Sequence, residues 1–377
     1  MPAATTASTA PPKPPFRAEH IGSLLRPADL KSGFGLRQGG KMSPPAYNQL
    51  VDRSVRHAVK LQENAGLQAI TDGEFGRGSW FGFFFERMDG FRLEPSAFKF
   101  KDEHGGTYEW PTCMACGRMH RRGSITGAEF SRLRVLVSPT ATAKMTMPSP
   151  SAFHFFRFHE PVDTNVYPDI AAYWDDLVAV YKAELAELAS LGCTYVQLDE
   201  VPLAMLCDPT IRAQVIAMRG DPDALCDAYI DVLKRVLAGR PAGMTIGLHL
   251  CRGNFRSRWM AAGGYEPVAE RLFADVPVDA FFLEYDSPRA GDFSPLRFVP
   301  KDRRVVLGLV SSKIARLEEA DTLKRRIDEA AKVVPLQQLA LSPQCGFASV
   351  AGGNSLTEAD EIAKLERVVA VAADVWR

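Results

Sequence analysis

Two thiols, one imidazole and one carboxylate stand at or just beyond the ends of short apolar runs in this sequence. His249 and Cys251 are separated by one residue, so a β-strand would present both side chains on the same face. Glu284 ends the next apolar run, and Cys345 follows the last one. This ligand set suits tetrahedral Zn²⁺ and argues against Mg²⁺ or Ca²⁺. The spacing alone leaves a second interpretation open, in which the cysteines are buried core thiols and His249 is a hydrogen-bonded core histidine.

Acidic side chains end two other apolar runs, where we expect Glu74 and Asp199 to hold a substrate ammonium group. A salt-bridged strand end is the alternative for both. Three basic residues are candidates for binding a carboxylate or sulfonate, with ordinary surface charge as the alternative: Arg77, Arg118 and Lys313. A neighbouring aromatic run predicts either a wall over the substrate or a packed loop: Trp80, Phe81, Phe83, Phe84 and Phe85.

A competing metal site is suggested by Cys113 and Cys116, which form a C-x2-C pair with His120 four residues further on. Such pairs are common in zinc knuckles. A structural zinc needs four ligands, however, and no second C-x2-C pair lies nearby. Two ordinary loop cysteines are therefore the favoured interpretation of this pair.

Eight short apolar runs must position the candidate side chains. They alternate with longer amphipathic runs of helical spacing, which predicts a parallel sheet with strands apolar on both faces. Eight such units close into a (β/α)8 TIM barrel, in which catalytic residues sit at the carboxyl ends of the strands. The runs are His20–Ser23, Gln68–Asp72, Lys144–Met147, Tyr195–Leu198, Met244–Leu248, Ala280–Leu283, Val305–Leu309 and Leu339–Leu341.

Capping residues predict where several helices begin and end. Asp221 followed by proline predicts an N-cap with proline at the first helical position, and Gly239 closes that helix. Ser43, also followed by proline, opens another helix, and Thr357 opens the last one. These helices are the layer that covers the outside of the predicted barrel.

The chain divides into a short tail and one catalytic domain. Residues 1–15 have almost no large apolar side chain and predict a disordered tail. Residues 16–377 form the barrel domain. The stretch around residues 91–143 is rich in Gly, Arg and turn residues, and we interpret it as an elaborated insertion over the active-site face.

Composition excludes several classes of protein. Hydrophobic residues make up 46% of the 377 residues, and 45 basic residues balance 45 acidic ones, so neither a nucleic-acid partner nor a membrane-surface partner is expected. No apolar stretch is long enough for a transmembrane helix. The seven cysteines are too sparse for a disulfide framework. We therefore expect reduced thiols in a cytoplasmic protein.

Six segments together resemble the catalytic barrel of cobalamin-independent methionine synthase. They occur in the same order along the chain as in that family, and the resemblance runs from about residue 16 to the C-terminus. It is strongest to the short, single-barrel relatives, which include epoxyalkane:coenzyme M transferases. The segments are EHIGS (19–23), TDGEF (71–75), QLDE (197–200), HLC (249–251), LEYD (283–286) and LSPQCGF (341–347).

The resemblance implies transfer of a methyl group to a zinc-bound thiolate such as homocysteine, giving methionine. It implies four zinc ligands: His249, Cys251, Glu284 and Cys345. Ser23, Glu74 and Asp199 match positions that hold the thiol amino acid. His20 and Asp286, at neighbouring strand ends, are added as candidate substrate contacts, and Glu74, Asp199 and Lys313 are the candidate catalytic groups.

Two departures from the family pattern bear on the methyl donor. The full-length synthase has a second, N-terminal half that helps to hold a polyglutamylated folate, and this chain has no such half. The synthase also has a proton-donating histidine after its seventh barrel strand, where this chain reads GLVSSK (308–313). Either Lys313 or another acid supplies the proton, or the leaving group differs.

Three alternatives to methionine synthesis remain at this point. The first is an epoxyalkane:coenzyme M transferase that opens an epoxide with a zinc-bound thiolate. The second is a metal-free decarboxylase of the uroporphyrinogen type, and the third is a binding protein that retains the fold without the chemistry. Acids in the pocket favour homocysteine, whereas an arginine pair near the zinc favours a sulfonate. The expected partners are a small thiol and an alkyl or methyl donor, and assembly into a homo-oligomer is left open.

Overall fold

A computed structural model describes residues 13–101 and 107–377 of the chain. The predicted tail, residues 1–15, falls almost entirely outside the described residues. The strands are β1 (Ala69–Ile70), β2 (Met88–Pro95), β3 (Phe100–Lys101), β4 (Thr107–Tyr108), β5 (Pro111–Arg121), β6 (Thr142–Ala143), β7 (Met145–Pro148), β8 (Tyr195–Glu200), β9 (Thr245–Leu250), β10 (Ala280–Glu284), β11 (Arg304–Val310) and β12 (Leu339–Pro343).

Helices fill most of the connections between these strands. The α-helices are α1 (Ala28–Gln38), α2 (Pro44–Asn64), α3 (Gly82–Phe85), α4 (Gly127–Arg134), α5 (Ile170–Ser190), α6 (Pro202–Met205), α7 (Pro209–Ala217), α8 (Pro222–Leu237), α9 (Glu266–Asp275), α10 (Ala320–Ala331) and α11 (Glu358–Val375). Short 3-10 helices span Pro150–Phe153, Phe155–Arg157, Pro288–Ala290, Ser294–Phe298 and Leu336–Gln338.

A parallel sheet of six strands runs in the order β12-β11-β10-β9-β8-β7. β1 and β6 form a separate parallel pair beside the β7 edge of this sheet. The Lys144 amide, just before β7, donates to the Ile70 carbonyl of β1 (2.8 Å). Every residue of β8 and β10 is buried. This is expected of parallel strands whose two faces are both covered, and it confirms the prediction of an α/β fold with a parallel sheet.

The segment just before Leu24 lies beside β12. Ala18 forms a single parallel bridge with Leu341, and the Glu19 amide donates to the Leu341 carbonyl (2.9 Å). Toward β1, the Leu24 amide donates to the Gly73 carbonyl (3.1 Å). Strand ladders therefore do not close a ring at this point in the described structure. The sheet is established, whereas the closed barrel predicted from the sequence is not.

Helix caps form where the sequence predicts them. The Asp221 carboxylate accepts hydrogen bonds from the amides of Asp223 and Ala224, and α8 begins at the following proline. The side chain of Thr357 accepts from the Asp360 amide, and the Asp360 carboxylate accepts from the Thr357 amide, so both partners of a capping box are present. α8 ends at Leu237, two residues before the predicted glycine stop.

The predicted insertion is built on a long antiparallel pair, β2 with β5, and it begins at Met88 rather than near residue 91. The Ala115 amide in β5 donates to the Pro161 carbonyl (3.0 Å), which ties this pair to the body of the domain. Among the described helices, none combines the length and the apolar character that a membrane span requires.

Candidate active site

His249 and two cysteines converge at the carboxyl ends of β9 and β12. The Sγ atoms of Cys251 and Cys345 lie 3.3 Å apart. One ligand atom from each cysteine and one ring nitrogen of His249 lie within 4.8 Å of one another, and all three residues are buried. In the described part of the chain, this is the one group of three or more His, Cys, Asp or Glu side chains that converges in this way. Two sulfurs and an imidazole directed at one point suit Zn²⁺.

A carboxylate orients the histidine of this group. The Nδ1 atom of His249 lies 3.1 Å from Oδ1 of Asp199, and its Nε2 atom lies 3.3 Å from the Gln344 carbonyl. Burial acts to lower the pKa of His249, but the hydrogen bond with Asp199 and the negative charges of Cys345, Asp199 and Glu284 together outweigh it, so that this pKa is raised. A carboxylate on one ring nitrogen is the usual partner of a metal-binding histidine, because it fixes the ring and leaves the other nitrogen for the metal.

The two thiols differ in acidity. The hydrogen bond from Cys251, assisted by the charges of His249 and Lys313, outweighs burial and lowers the pKa of Cys345 to about 7. The same hydrogen bond, together with burial, raises the pKa of Cys251 well above its usual range. The contact between the two sulfurs thus favours ionisation of Cys345 over that of Cys251. A ready-made thiolate is what a soft metal ion requires.

Glu284 lies beside this group and not within it. Its Oε2 atom accepts a hydrogen bond from the Arg252 amide (2.9 Å), and its Oε1 atom lies 3.7 Å from the Lys313 Nζ atom and 3.8 Å from Arg289. Burial acts to raise the pKa of Glu284, but the charges of Lys313, Arg252 and Arg289 and the hydrogen bond from the Arg252 amide together outweigh it and lower that pKa. Glu284 is therefore an ionised, buried carboxylate held by cations next to the sulfur pair.

A cavity of about 270 Å³ opens above the sulfur pair. Three residues predicted to hold the substrate line it, and so do three of the predicted metal ligands. The predicted residues in the lining are Ser23, Glu74, Asp199, His249, Cys251 and Cys345. The candidate metal centre and the candidate amino-acid site thus share one cavity.

Glu74 reaches the cavity from a strained turn. Its φ angle of 61° lies in the left-handed region, and the Asp72 carboxylate holds the turn by accepting from the Glu74 amide (2.8 Å). Such strain is often kept where a side chain must point at a ligand. Burial raises the pKa of Glu74 to about 7, although the charge of Arg77 opposes the shift. The Thr146 hydroxyl donates to its Oε1 atom (2.7 Å).

Comparison with known proteins identifies the family of this fold and site. Residues 17–374 match the family model for the catalytic domain of cobalamin-independent synthase. The chain is 39% identical over 370 residues to the uncharacterized protein YxjH of Bacillus subtilis, an alignment that covers 97% of this chain and 96% of that protein. The chain belongs to the cobalamin-independent methionine synthase family.

More distant members of the family also match over most of their length. The methionine synthase of Pyrococcus abyssi is 25% identical over 332 residues, covering 87% of this chain and 85% of that one. A crystal structure from Listeria monocytogenes, provisionally described as a vitamin-B12-independent methionine synthase, superposes with a TM-score of 0.75 at 30% identity. It covers 98% of this chain and 100% of its own. Membership makes this protein a methyltransferase of that family.

Three further residues that the sequence predicts for the site do not line the cavity: His20, Asp286 and Lys313. His20 is buried, and its Nε2 atom lies 3.0 Å from the Ala69 carbonyl. Burial, with the charge of Lys144, lowers the pKa of His20 to about 3. Asp286 lies 3.8 Å from Arg289, and Lys313 lies beside Glu284.

Two candidate anion-binding arginines are already paired with acids. The Nε atom of Arg77 donates to Glu129 (2.9 Å), and its other nitrogens bond to the backbone and hydroxyl of Thr146. Arg118 lies at the surface and pairs with Asp176 (2.6 Å). Neither guanidinium lines the cavity.

The competing cysteine site does not assemble in the described structure. The thiol of Cys113 is buried against the Phe153 carbonyl (3.9 Å), and burial raises the pKa of Cys113 to about 12. His120 instead pairs with Asp89 at 3.0 Å. Cys113, Cys116 and His120 therefore do not share a metal-binding point.

Some rings of the aromatic run from Trp80 to Phe85 line the cavity, and the others pack in the interior. Three of its rings line the cavity: Trp80, Phe81 and Phe85. Phe84 instead stacks on Tyr181 at 4.9 Å, and Phe83 lies under the guanidinium of Arg77. Three further rings of the lining, Trp110, Phe156 and Phe255, were not predicted, since none belongs to a motif that marks it.

Proposed function

We propose that this protein is a zinc-dependent S-methyltransferase that methylates homocysteine to methionine. The observation that carries the proposal is the convergence of His249, Cys251 and Cys345 at the floor of a cavity that also contains Glu74 and Asp199. Family membership supports the methyl transfer. A relative of similar length from Pyrococcus abyssi is named methionine synthase, which supports homocysteine as the acceptor.

The proposed zinc ligands are His249, Cys251, Cys345 and Glu284. When zinc is bound, it lowers the pKa of a coordinated thiol, so that the thiolate exists at neutral pH. The Asp199 carboxylate fixes the orientation of the His249 imidazole. Lys313, 3.7 Å from Glu284, is assigned a positioning role, because it neutralises that carboxylate and holds it close to the sulfur pair.

The proposed amino-acid site consists of Glu74, Asp199 and Ser23. The two carboxylates bind the ammonium group of homocysteine and thereby direct its thiol toward the cysteines. The Ser23 hydroxyl accepts a hydrogen bond from the Ala348 amide (3.3 Å) and packs against Gly346. This arrangement brings the start of the domain to the loop after β12. We further propose that residues 16–23 act as the eighth element of a closed barrel.

The coenzyme M alternative is less well supported by the cavity. A sulfonate needs a cationic partner when it leaves water. Among the described residues that line the cavity, the charged side chains are acids, and none is lysine or arginine. The same charge pattern counts against a decarboxylase that must bind several carboxylates.

Zinc content and X-ray absorption at the zinc edge test the proposal. We expect one zinc per chain and an additional sulfur neighbour after homocysteine is added. Cys251→Ser and Cys345→Ser each lose the metal. The double variant Cys113→Ser with Cys116→Ser is the matched control and retains it. Full zinc content in both site variants, or metal loss in the control, contradicts the proposal.

A further inference from the structure

The cavity wall above the sulfur pair is made of mutually packed aromatic rings. The ring of Phe81 lies 5.2 Å from Trp80 and 5.5 Å from Trp110, and Trp110 meets Phe156 edge to face at 4.5 Å. The Trp110 indole donates to the Phe98 carbonyl (3.0 Å), so its orientation is fixed. These rings form a rigid surface before any ligand arrives.

Acidic side chains line the same cavity as these aromatic rings. Glu86 is exposed at the mouth of the cavity, one residue beyond Phe85, and Glu74 and Asp199 lie deeper. Within the described residues, the lining contains no lysine or arginine. Arg77, outside the lining, lies 3.5 Å from the Glu74 carboxylate and offsets its charge, so Glu86 and Asp199 supply the negative charge. An aromatic face attracts cations through its quadrupole, and quaternary ammonium ligands are recognised in this way. The wall therefore suits a cation and disfavours an anion.

The volume of the cavity restricts the second substrate as well. At about 270 Å³, it lies below the range of roughly 300–1,000 Å³ that holds a drug-sized ligand. Homocysteine occupies part of this space at the proposed amino-acid site. A compact donor therefore fits better than a pterin carrying a chain of glutamates, whose carboxylates would also meet acidic side chains.

Resting on the methyltransferase function above, we propose that the methyl donor is a small methyl onium compound, either a sulfonium or a quaternary ammonium. It lies against Trp80 and Trp110, with Glu86 balancing its charge. The thiol proton passes to water, and the homocysteine sulfur attacks a methyl carbon of the donor. A carbon–sulfur bond forms to give methionine while the bond from that carbon to the onium atom breaks. The electron pair of the broken bond stays on the donor, which leaves as a neutral thioether or tertiary amine.

This donor class also accounts for the missing histidine in the segment after β11. A folate amine or an opened epoxide needs a proton as it departs, whereas a thioether or tertiary amine leaves uncharged and needs none. The Lys313 ammonium, which follows β11, is directed toward Glu284 and does not line the cavity. The reaction of an onium donor therefore requires no general acid at that position.

A binding experiment tests the charge preference directly. Ligand-observed NMR titrations of the zinc-loaded protein compare choline with 3,3-dimethylbutan-1-ol, its uncharged carbon isostere. We expect choline to bind at least about fivefold more tightly, and Trp80→Leu or Glu86→Gln to bring the ratio close to one. Trp259→Leu is the matched control, since Trp259 is exposed, lies under Arg289 and is outside the cavity. Equal affinities in the unmodified protein, or no choline binding, overturn the inference.

A transfer experiment separates this inference from the function on which it rests. Homocysteine is incubated with trideuteromethyl-labelled S-methylmethionine, glycine betaine or 5-methyltetrahydropteroylglutamate, and labelled methionine is measured by mass spectrometry. Transfer from either onium compound supports the inference and identifies which onium atom is used. If homocysteine adds a sulfur to zinc but only the folate, or no donor, yields labelled methionine, the onium donor is excluded while the thiol site stands. If no sulfur is added, the proposed function and the inference both fail.

Discussion

Asp199 is an informative residue to change, because it contacts His249 and is also proposed to bind the ammonium group of the substrate. Its Oδ1 atom faces the His249 ring and accepts a hydrogen bond from the side-chain Nε2 atom of Gln197 (2.7 Å). Asparagine preserves an oxygen for both contacts and removes the charge. We therefore expect Asp199→Asn to retain zinc and to raise the Kd for homocysteine at least about tenfold. That factor is ~1.4 kcal/mol, below the roughly 2–5 kcal/mol of a broken buried ion pair.

Calorimetric titration with homocysteine and with coenzyme M, a thiol that lacks an amino group, measures the effect of Asp199→Asn. Coenzyme M should respond far less, since it brings no ammonium group to the acid. Asp286→Asn, a buried acid outside the cavity lining, is the control for a general loss of negative charge. Equal losses for both thiols would make Asp199 a purely structural residue.

Glu361 is a buried acid that does not line the cavity, and its burial makes the stability of the fold depend on pH. Its Oε1 atom accepts from the Leu25 amide (2.9 Å), and burial raises the pKa of Glu361 from 4.5 to about 8. Between these two values the folded protein holds a proton that the unfolded chain releases. This stabilisation is complete below pH 4.5 and is lost as the pH rises through 8.

The variant Glu361→Gln imitates the protonated form and removes this pH dependence. In urea unfolding between pH 5 and 8, we expect the unmodified protein to lose on the order of 1 kcal/mol per pH unit relative to the variant. Glu366→Gln, an exposed glutamate on the same helix, should follow the unmodified protein. Parallel stability curves for all three proteins would contradict the assignment.

Residue types and strand periodicity brought His249, Cys251 and Cys345 forward as candidates, and the family resemblance then favoured a metal site over buried core thiols. Alternation fixes the shared face of His249 and Cys251, and parallel strands bring their carboxyl ends to one edge. The carboxylate of Glu284 could not be located in this way, because its direction is set by Arg252 and Lys313. Trp110 carries no local signal either, since its place in the wall depends on the pairing of β2 with β5.

At the scale of elements, the loop after β12 packs tightly on the segment that precedes α1. A Cβ atom at Gly346 would lie 2.0 Å from the Ser23 hydroxyl and 3.2 Å from the Ser23 Cβ atom. Gly346→Ala should therefore push the two segments apart. Overpacking of this kind costs about 1–3 kcal/mol, and we expect weaker homocysteine binding as well, because Cys345 and Ser23 move with the backbone.

Urea unfolding and homocysteine titration of Gly346→Ala measure these effects. Adding Ser23→Ala removes the closest clashing atom, so the double variant should recover part of the lost stability, a coupling that a double-mutant cycle measures. Gly35→Ala serves as the control, since no atom lies within 4 Å of a Cβ there and the residue lies within a helix. Loss of stability without coupling to Ser23 would refute this explanation.

Elements with strong local signals were predicted well. α2, α8 and α11 begin at side-chain caps that satisfy free helix amides. The four-residue helices α3 and α6 carry no such signal, because their positions follow from the packing of the chain after β1 and β8. The pairing of β2 with β5 was not predicted either, because it is long-range. The β3 and β4 segments lie between these two strands in sequence, and the register shifts between Asp89 and Phe91.

At the scale of the molecule, the proposed zinc connects strand ends that are distant in sequence. Cys251 and Cys345 are 94 residues apart. A metal that binds the folded chain and not the unfolded one stabilises the fold by about 2.7 kcal/mol when its free concentration is a hundred times Kd. Calorimetry after chelation and zinc repletion should therefore show a higher Tm with zinc, whereas Cys345→Ser shows no shift. An unchanged Tm in the native sequence would count against a zinc site between these strands.

Periodic runs predicted the parallel sheet because each strand carries its own signal. Closure of a barrel could not be decided in the same way, since it depends on how the segment containing Ala18 meets β12 and β1. That segment forms one bridge and a few backbone hydrogen bonds in place of a ladder. Apolar alternation does not encode such a junction.

The contact between Ser23 and Ala348 also constrains how the protein is made. The two residues are 325 positions apart, and ribosomes add about 5–20 residues per second, so Ser23 waits roughly 16–65 s for its partner to be synthesised. During that interval Leu24 and Leu25, both buried in the finished domain, have no Phe347 to cover them. This part of the apolar core therefore stays incomplete until translation is nearly finished. A product terminated between β9 and β12 would contain His249 and Cys251 without Cys345, and therefore without an assembled site.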